Sequence, residues 1–123
     1  MKYIKLFEDF GKGYVEDSIK DILVELKDLG MIIEVWHVTN KKEEYYSISI
    51  TGKEEEEMYH QSFNTNILKD YVDTVIDFMK EFCHGFEPYF EYYGNNEKDL
   101  GESETLLRNK KVAQVVFVFT KRK

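Results

Sequence analysis

Three short runs carry the side chains best suited to proton transfer, metal binding or nucleophilic attack: His37-Val38-Thr39, His60-Gln61-Ser62 and Cys83-His84. An imidazole changes charge near neutral pH, so either His37 or His60 can act as an acid or a base if a reacting group reaches it. Cys83 and His84, joined by His37 or His60, would give a metal three ligands. No Cys-x-x-Cys or His-x-x-x-His spacing completes a fourth, so no metal and no cofactor is expected. Nor do Cys83 and His84 form a nucleophile and base, because neighbours on a helix point about 100° apart. Cys83 reads instead as a buried structural thiol. Gly11 and Gly13 lack the Gly-Lys-Ser/Thr of a phosphate-binding loop.

The two His-x-Thr/Ser tripeptides resemble the paired signature of the 2H phosphoesterases. That resemblance implies His37 and His60 as general acid and base on a phosphodiester, with Thr39 and Ser62 holding its phosphate oxygens. Here the tripeptides stand 23 residues apart, where that family separates them by half the molecule. His37 falls at a strand end and His60 in a loop. The plainer reading makes His37 a rim histidine beside Trp36 and His60 a solvated loop residue.

Composition narrows the field further. The 123-residue chain has 24 Asp and Glu against 17 Lys and Arg, a formal charge of −7, so its field repels phosphate backbones and disfavours nucleic-acid binding. Such a balance serves ordinary solubility, and it also suits a basic protein partner or imitation of a nucleic acid. One cysteine excludes an intramolecular disulfide and fits a reducing, cytoplasmic setting. No apolar run reaches the roughly 18 to 20 residues of a membrane span. Nine Tyr, nine Phe and one Trp exceed what one small core needs, which points to aromatic side chains at an interface.

The elements that must hold these residues follow from periodicity. Leu68, Tyr71, Val72, Val75, Met79, Phe82 and Cys83 recur at three- and four-residue steps, with Asp70, Asp73, Asp77 and Lys80 opposite, which predicts a long amphipathic helix. Asn64 is its expected N-cap, Phe63 and Leu68 its hydrophobic staple, and Gly85 its stop. A similar stripe of Val15, Ile19, Ile22, Leu23, Leu26 and Leu29 predicts an earlier helix over 17–29, capped by Asp17 or Ser18 and ended by Gly30. Strands are expected over 31–38, 45–51, 86–93 and 112–120, the second of them alternating Tyr46, Ile48 and Ile50 with Ser47, Ser49 and Thr51. Pro88 lacks an N–H and assigns the third strand to a sheet edge, whereas the apolar run over 112–120 suits the interior. Glu54 to Glu57 reads as a solvated charge run, and residues 94–111 as a long polar loop.

The opening residues, Met1 to Phe10, place Ile4, Phe7 and Phe10 on one side of a short helix, freed by Gly11-Lys12-Gly13. This Met-Lys-x-Ile-x-x-Phe-Glu-x-Phe pattern resembles the start of small proteins of tailed bacteriophages. In that setting similar segments address proteins to the assembling capsid and are cleaved after a glutamate. Glu8 here is followed by Asp9 and Phe10 rather than by small residues.

The order helix, strand, strand recurs with an offset of about 53 residues, so that Ile22, Leu23, Leu26 and Leu29 fall on Val75, Ile76, Met79 and Phe82. The expected fold is α+β: residues 1–13 form an arm and linker, and 14–123 a doubled αββ unit. Its four-stranded antiparallel sheet carries two helices on one face, a permuted ferredoxin-like arrangement. The other face should then present Tyr89, Tyr93, Val116 and Val118, too apolar to remain in water. A non-enzymatic protein-interaction module is expected, binding a second copy or another protein through these residues and through Phe7 and Phe10. The alternatives are a small phosphoesterase or nucleotide-binding protein using His37 and His60, and an acidic nucleic-acid mimic built on Glu54 to Glu57.

Overall fold

The computed structural model describes residues 13–122, so the expected arm with Phe7 and Phe10 lies outside the described residues. Helix α1 (Tyr14–Ile22) starts at Gly13, whose φ of 85° supplies the turn into it, and no side chain caps it; Asp17 and Ser18 are already inside. At Leu23 the backbone leaves helical geometry (φ −94°, ψ 6°), and a second short helix, α2 (Val24–Asp28), follows. The single helix predicted over 17–29 is thus two. The break lets Val15, Ile19, Leu23 and Leu26 all reach the core while Leu29 stays 67% exposed.

Helix α3 (Lys69–Phe82) is entered through a 3₁₀ turn over Thr65–Leu68. Asn64 is extended, and its side-chain oxygen accepts from the Asn66 N–H, as an N-cap does. Phe63 lies in a strand and packs against the core that includes Leu68. It pairs with Val112 in a two-residue ladder of β5 (Phe63–Asn64) with β8 (Lys111–Val112). Leu68, Val72, Val75, Met79 and Cys83 are buried at steps of three or four, the stripe that makes one face of α3 the floor of the core.

The main sheet is antiparallel and has five strands in the order β1 (Ile32–Thr39), β2 (Glu43–Thr51), β9 (Gln114–Arg122), β6 (Glu87–Tyr93), β7 (Asp99–Ser103). Four of these are the predicted strands. The fifth comes from the stretch read as loop, because Asp99–Ser103 has only Leu100 as an apolar side chain and no alternation to announce it.

This corrects the edge assignment, since β6 pairs with β9 on one side and β7 on the other. Pro88 is tolerated because β7 reaches only Phe90 to Tyr93, leaving the Pro88 end of β6 without an outer neighbour. Glu54 to Glu57 also gains order, in a hairpin of β3 (Glu54–Glu56) and β4 (Tyr59–His60).

The core lies between the helices and one sheet face. Ile48, Ile50, Phe90, Tyr92, Val115, Phe117 and Phe119 are at most 1% exposed and alternate with outward residues. Each such side chain stabilises the fold by about 1.5–3 kcal/mol. The Phe90 and Phe117 rings stack across β6 and β9 at 5.6 Å. The three helices pack together on this face: Tyr14 of α1 meets Phe78 and Phe82 of α3 edge-on and Tyr71 of α3 donates to Glu25 of α2 at 2.6 Å.

Residues 104–110 form a strap over the free flank of α3. Thr65 Oγ1 donates to the Leu107 carbonyl (2.7 Å) and accepts from the Lys110 N–H (3.1 Å). The Tyr92 hydroxyl accepts from the Leu107 N–H at 2.8 Å.

Candidate protein-interaction face

Strand residues alternate sides, so the registers define what the other sheet face presents. Its central row crosses four strands as Trp36, Ser47, Val118 and Tyr89. At about 4.8 Å per strand, this row is about 14 Å wide. The neighbouring row on one side is Val38, Tyr45, Thr120 and Glu87. On the other side it is Glu34, Ser49, Val116, Glu91 and Glu102 of β7, and beyond that Ile32, Thr51, Gln114 and Tyr93. No helix among the described residues covers this face.

All four residues expected on the face, Tyr89, Tyr93, Val116 and Val118, stand there. Trp36, 52% exposed, Val38 and Tyr45 join them and were not singled out as face residues from the sequence. The signal was present in the alternation of Ile32, Glu34, Trp36 and Val38, which a strictly period-two reading of β1 puts on one side.

Electrostatics on this face is managed by tyrosines. Glu91 and Glu102 sit directly opposite each other across β6 and β7, an unfavourable pairing for like charges. Tyr93 donates its hydroxyl to Glu91 at 2.8 Å. For Tyr89 the Glu102 side chain beside it is the main cause pushing the phenol up to about 12. Tyr93 is likewise pushed up to about 12, first by the bond to Glu91. The face therefore carries aromatic and aliphatic side chains among the serines and threonines of β2 and β9, with Glu34 on β1 and Glu87, Glu91 and Glu102 along its β6–β7 side.

One end is concave. The β3–β4 hairpin and the turn at Asn95–Glu97 bound a cavity of about 570 Å³ lined by Glu34, Met58, His60, Asn96 and Gln114. Asn95 makes the corner rigid: its side chain accepts from the His60 N–H and donates to the His60 carbonyl, both at 2.9 Å. Met58, at the hairpin tip, is 80% exposed.

The histidines do not converge. His37 is on the core side of β1, stacked on Tyr46 at 4.3 Å and bonded through Nε2 to Glu44 at 2.6 Å. His60 bonds through Nδ1 to the Gly52 carbonyl, past the opposite end of the β1–β2 ladder. Five strand residues, about 17 Å, separate His37 from Ile32 at that end, so one phosphodiester cannot meet both rings. Thr39 is the last residue of β1, and Ser62 is exposed after β4.

Cys83 is 7% exposed, and burial is the first cause pushing its thiol up to about 11, with the charge of Glu44 adding to it. A protonated thiol is a poor nucleophile. Among the described residues no group of three or more His, Cys, Asp or Glu is placed to hold a metal. The Glu54 to Glu56 side chains are all exposed on β3, whose ladder with β4 shifts register between Glu54 and Glu56. Among the described residues no helix is long and apolar enough to cross a membrane.

Comparison with family models, curated proteins and solved structures returns no significant match.

Proposed function

We propose that the chain is a non-enzymatic protein-interaction module whose uncovered sheet face receives a protein partner. The observation that carries this reading is the row Trp36, Val118, Tyr89, apolar or aromatic at three of its four positions, with Val38, Tyr45 and Val116 beside it. Exposed Trp and Tyr side chains are the ones that dominate binding energy at interaction sites. Glu34, Glu87, Glu91 and Glu102 at its borders favour a partner whose contact surface is apolar at the centre and basic at the rim. The opening pattern at Met1 to Phe10 adds a phage setting to this proposal, in which the partner is a virion or host protein. The strand order β1-β2-β9-β6 supports the finer reading of the architecture as a permuted ferredoxin-like unit with β7 appended.

The test is retention of proteins from a host lysate on the immobilised wild-type chain and on Trp36→Ala and Tyr89→Ser. The expected result is a partner held by the wild type and lost by each variant, with affinity reduced about tenfold or more on remeasurement with the purified partner. Equal retention by all three chains would end the proposal.

A further inference from the structure

The sheet ends on one side at β1, and no strand among the described residues pairs with its outer side. Which backbone groups face outward follows from the hairpin: the Asn40 N–H donates to the Glu43 carbonyl at 2.9 Å, which makes Asn40 and Glu43 a hydrogen-bonded pair. Such pairs alternate along an antiparallel ladder, so Val38, Trp36, Glu34 and Ile32 bond to β2. Ile33, Val35 and His37 then turn their N–H and C=O groups away from the sheet.

Sheets that must stay single protect such an edge with a short strand, a bulge, a proline or a lysine. The opposite edge has these devices, for β7 is five residues long, slips register between Tyr92 and Tyr93 of its partner and carries Gly101 at φ 112°. Strand β1 has none of them. It is eight residues long, pairs with β2 without a register shift and contains no Lys or Pro. Apolar surface flanks it on both sides: Ile33 and Val35 are half-buried on the helix side, Trp36 is 52% exposed on the other, and Val24 of α2, a helix packed against β1, is 47% exposed.

We propose that β1 pairs antiparallel with β1 of a second copy about a two-fold axis at Val35, joining two sheets into one of ten strands. The strand is complementary to itself in this register. Val35 meets Val35, and Ile33 meets His37, both as hydrogen-bonded pairs that use the outward groups. Ile32 meets Val38 and Glu34 meets Trp36 between them, so no like charges stand opposite. Moving the axis to Glu34 would set that residue against itself. An isologous contact of this kind closes as a dimer. It also lays the two aromatic faces side by side, with Trp36 of each copy near the seam. The edge is carried by the outward backbone groups of β1 and does not rest on the reading of the face, which shares Ile32, Glu34, Trp36 and Val38 with it.

Size exclusion with light scattering, combined with residue-resolved amide exchange on the wild-type chain, tests this. The expected species is a dimer in which the Val35 and His37 amides exchange at least tenfold more slowly at high than at low protein concentration, while the Trp36 amide, already bonded to β2, does not respond. Val35→Pro removes an outward N–H without costing a bond to β2 and should give a folded monomer. Tyr89→Ser should leave the dimer intact. A chain that remains monomeric at millimolar concentration overturns the proposal, as does a dimer that Val35→Pro leaves unchanged or concentration-independent exchange at Val35 and His37. If Val35→Pro does not fold, the wild-type exchange data decide alone.

Discussion

At the scale of single residues, Gly52 shows how narrow the tolerance can be. A Cβ there would lie 1.8 Å from the Gln61 carbonyl oxygen, which belongs to backbone and has nowhere to retreat. Gly52→Ala should therefore push the β3–β4 hairpin off the end of β2 and cost about 2 kcal/mol or more in a urea unfolding curve. Titration supplies a second expectation. The Cys83 thiol is pushed from 9.0 to about 11, chiefly by burial, and the Tyr93 phenol from 10.0 to about 12, chiefly by its bond to Glu91. In both cases the folded state favours the neutral acid. Their contributions are whole below the unfolded values and are lost as pH climbs through the folded ones, so thermal stability should decline between about pH 9 and 12. Thiol reagents at pH 7 should leave Cys83 unmodified until the chain unfolds. The His-x-Thr/Ser tripeptides belong to this scale too. Their residue types were legible, but a two-residue motif has no information about which end of a sheet it will occupy.

At the scale of elements, periodicity was the reliable guide. The stripe from Leu68 to Cys83 became α3, and the alternation over Tyr46 to Thr51 became a strand with the expected side inward. Where side chains gave no period, elements went unseen: β7 has a single apolar residue and is a strand because β6 offers it a ladder. The break at Leu23 was equally hidden, since its side chain fits the helical stripe and only the backbone departs. The strap over 104–110 depends on polar anchors far away in sequence. Thr65→Val removes both of the strap's bonds to that hydroxyl and should cost about 1–3 kcal/mol. Amide exchange at Lys110 should quicken while that of Val75 in α3 keeps its protection, which separates loosening of the strap from global unfolding.

At the scale of the whole molecule, the two surfaces proposed for partners are the aromatic face and the β1 edge. Pairing of two copies at the edge would have to overcome the mutual repulsion of chains carrying a formal −7, whereas a basic-rimmed partner at the face would be attracted by it. Hydrophobic spacing, charge balance and the mixed helix-and-strand class are properties of neighbouring residues, so they could be read along the chain, and with them the membership of Tyr89, Tyr93, Val116 and Val118 in one face. Which strands lie at the edges, why Pro88 is tolerated inside, that Trp36 falls in line with Tyr89, and that His37 and His60 stand at opposite ends all depend on pairings between residues tens of positions apart. Those pairings are chosen by the joint packing of every element against one core, and no local window contains them.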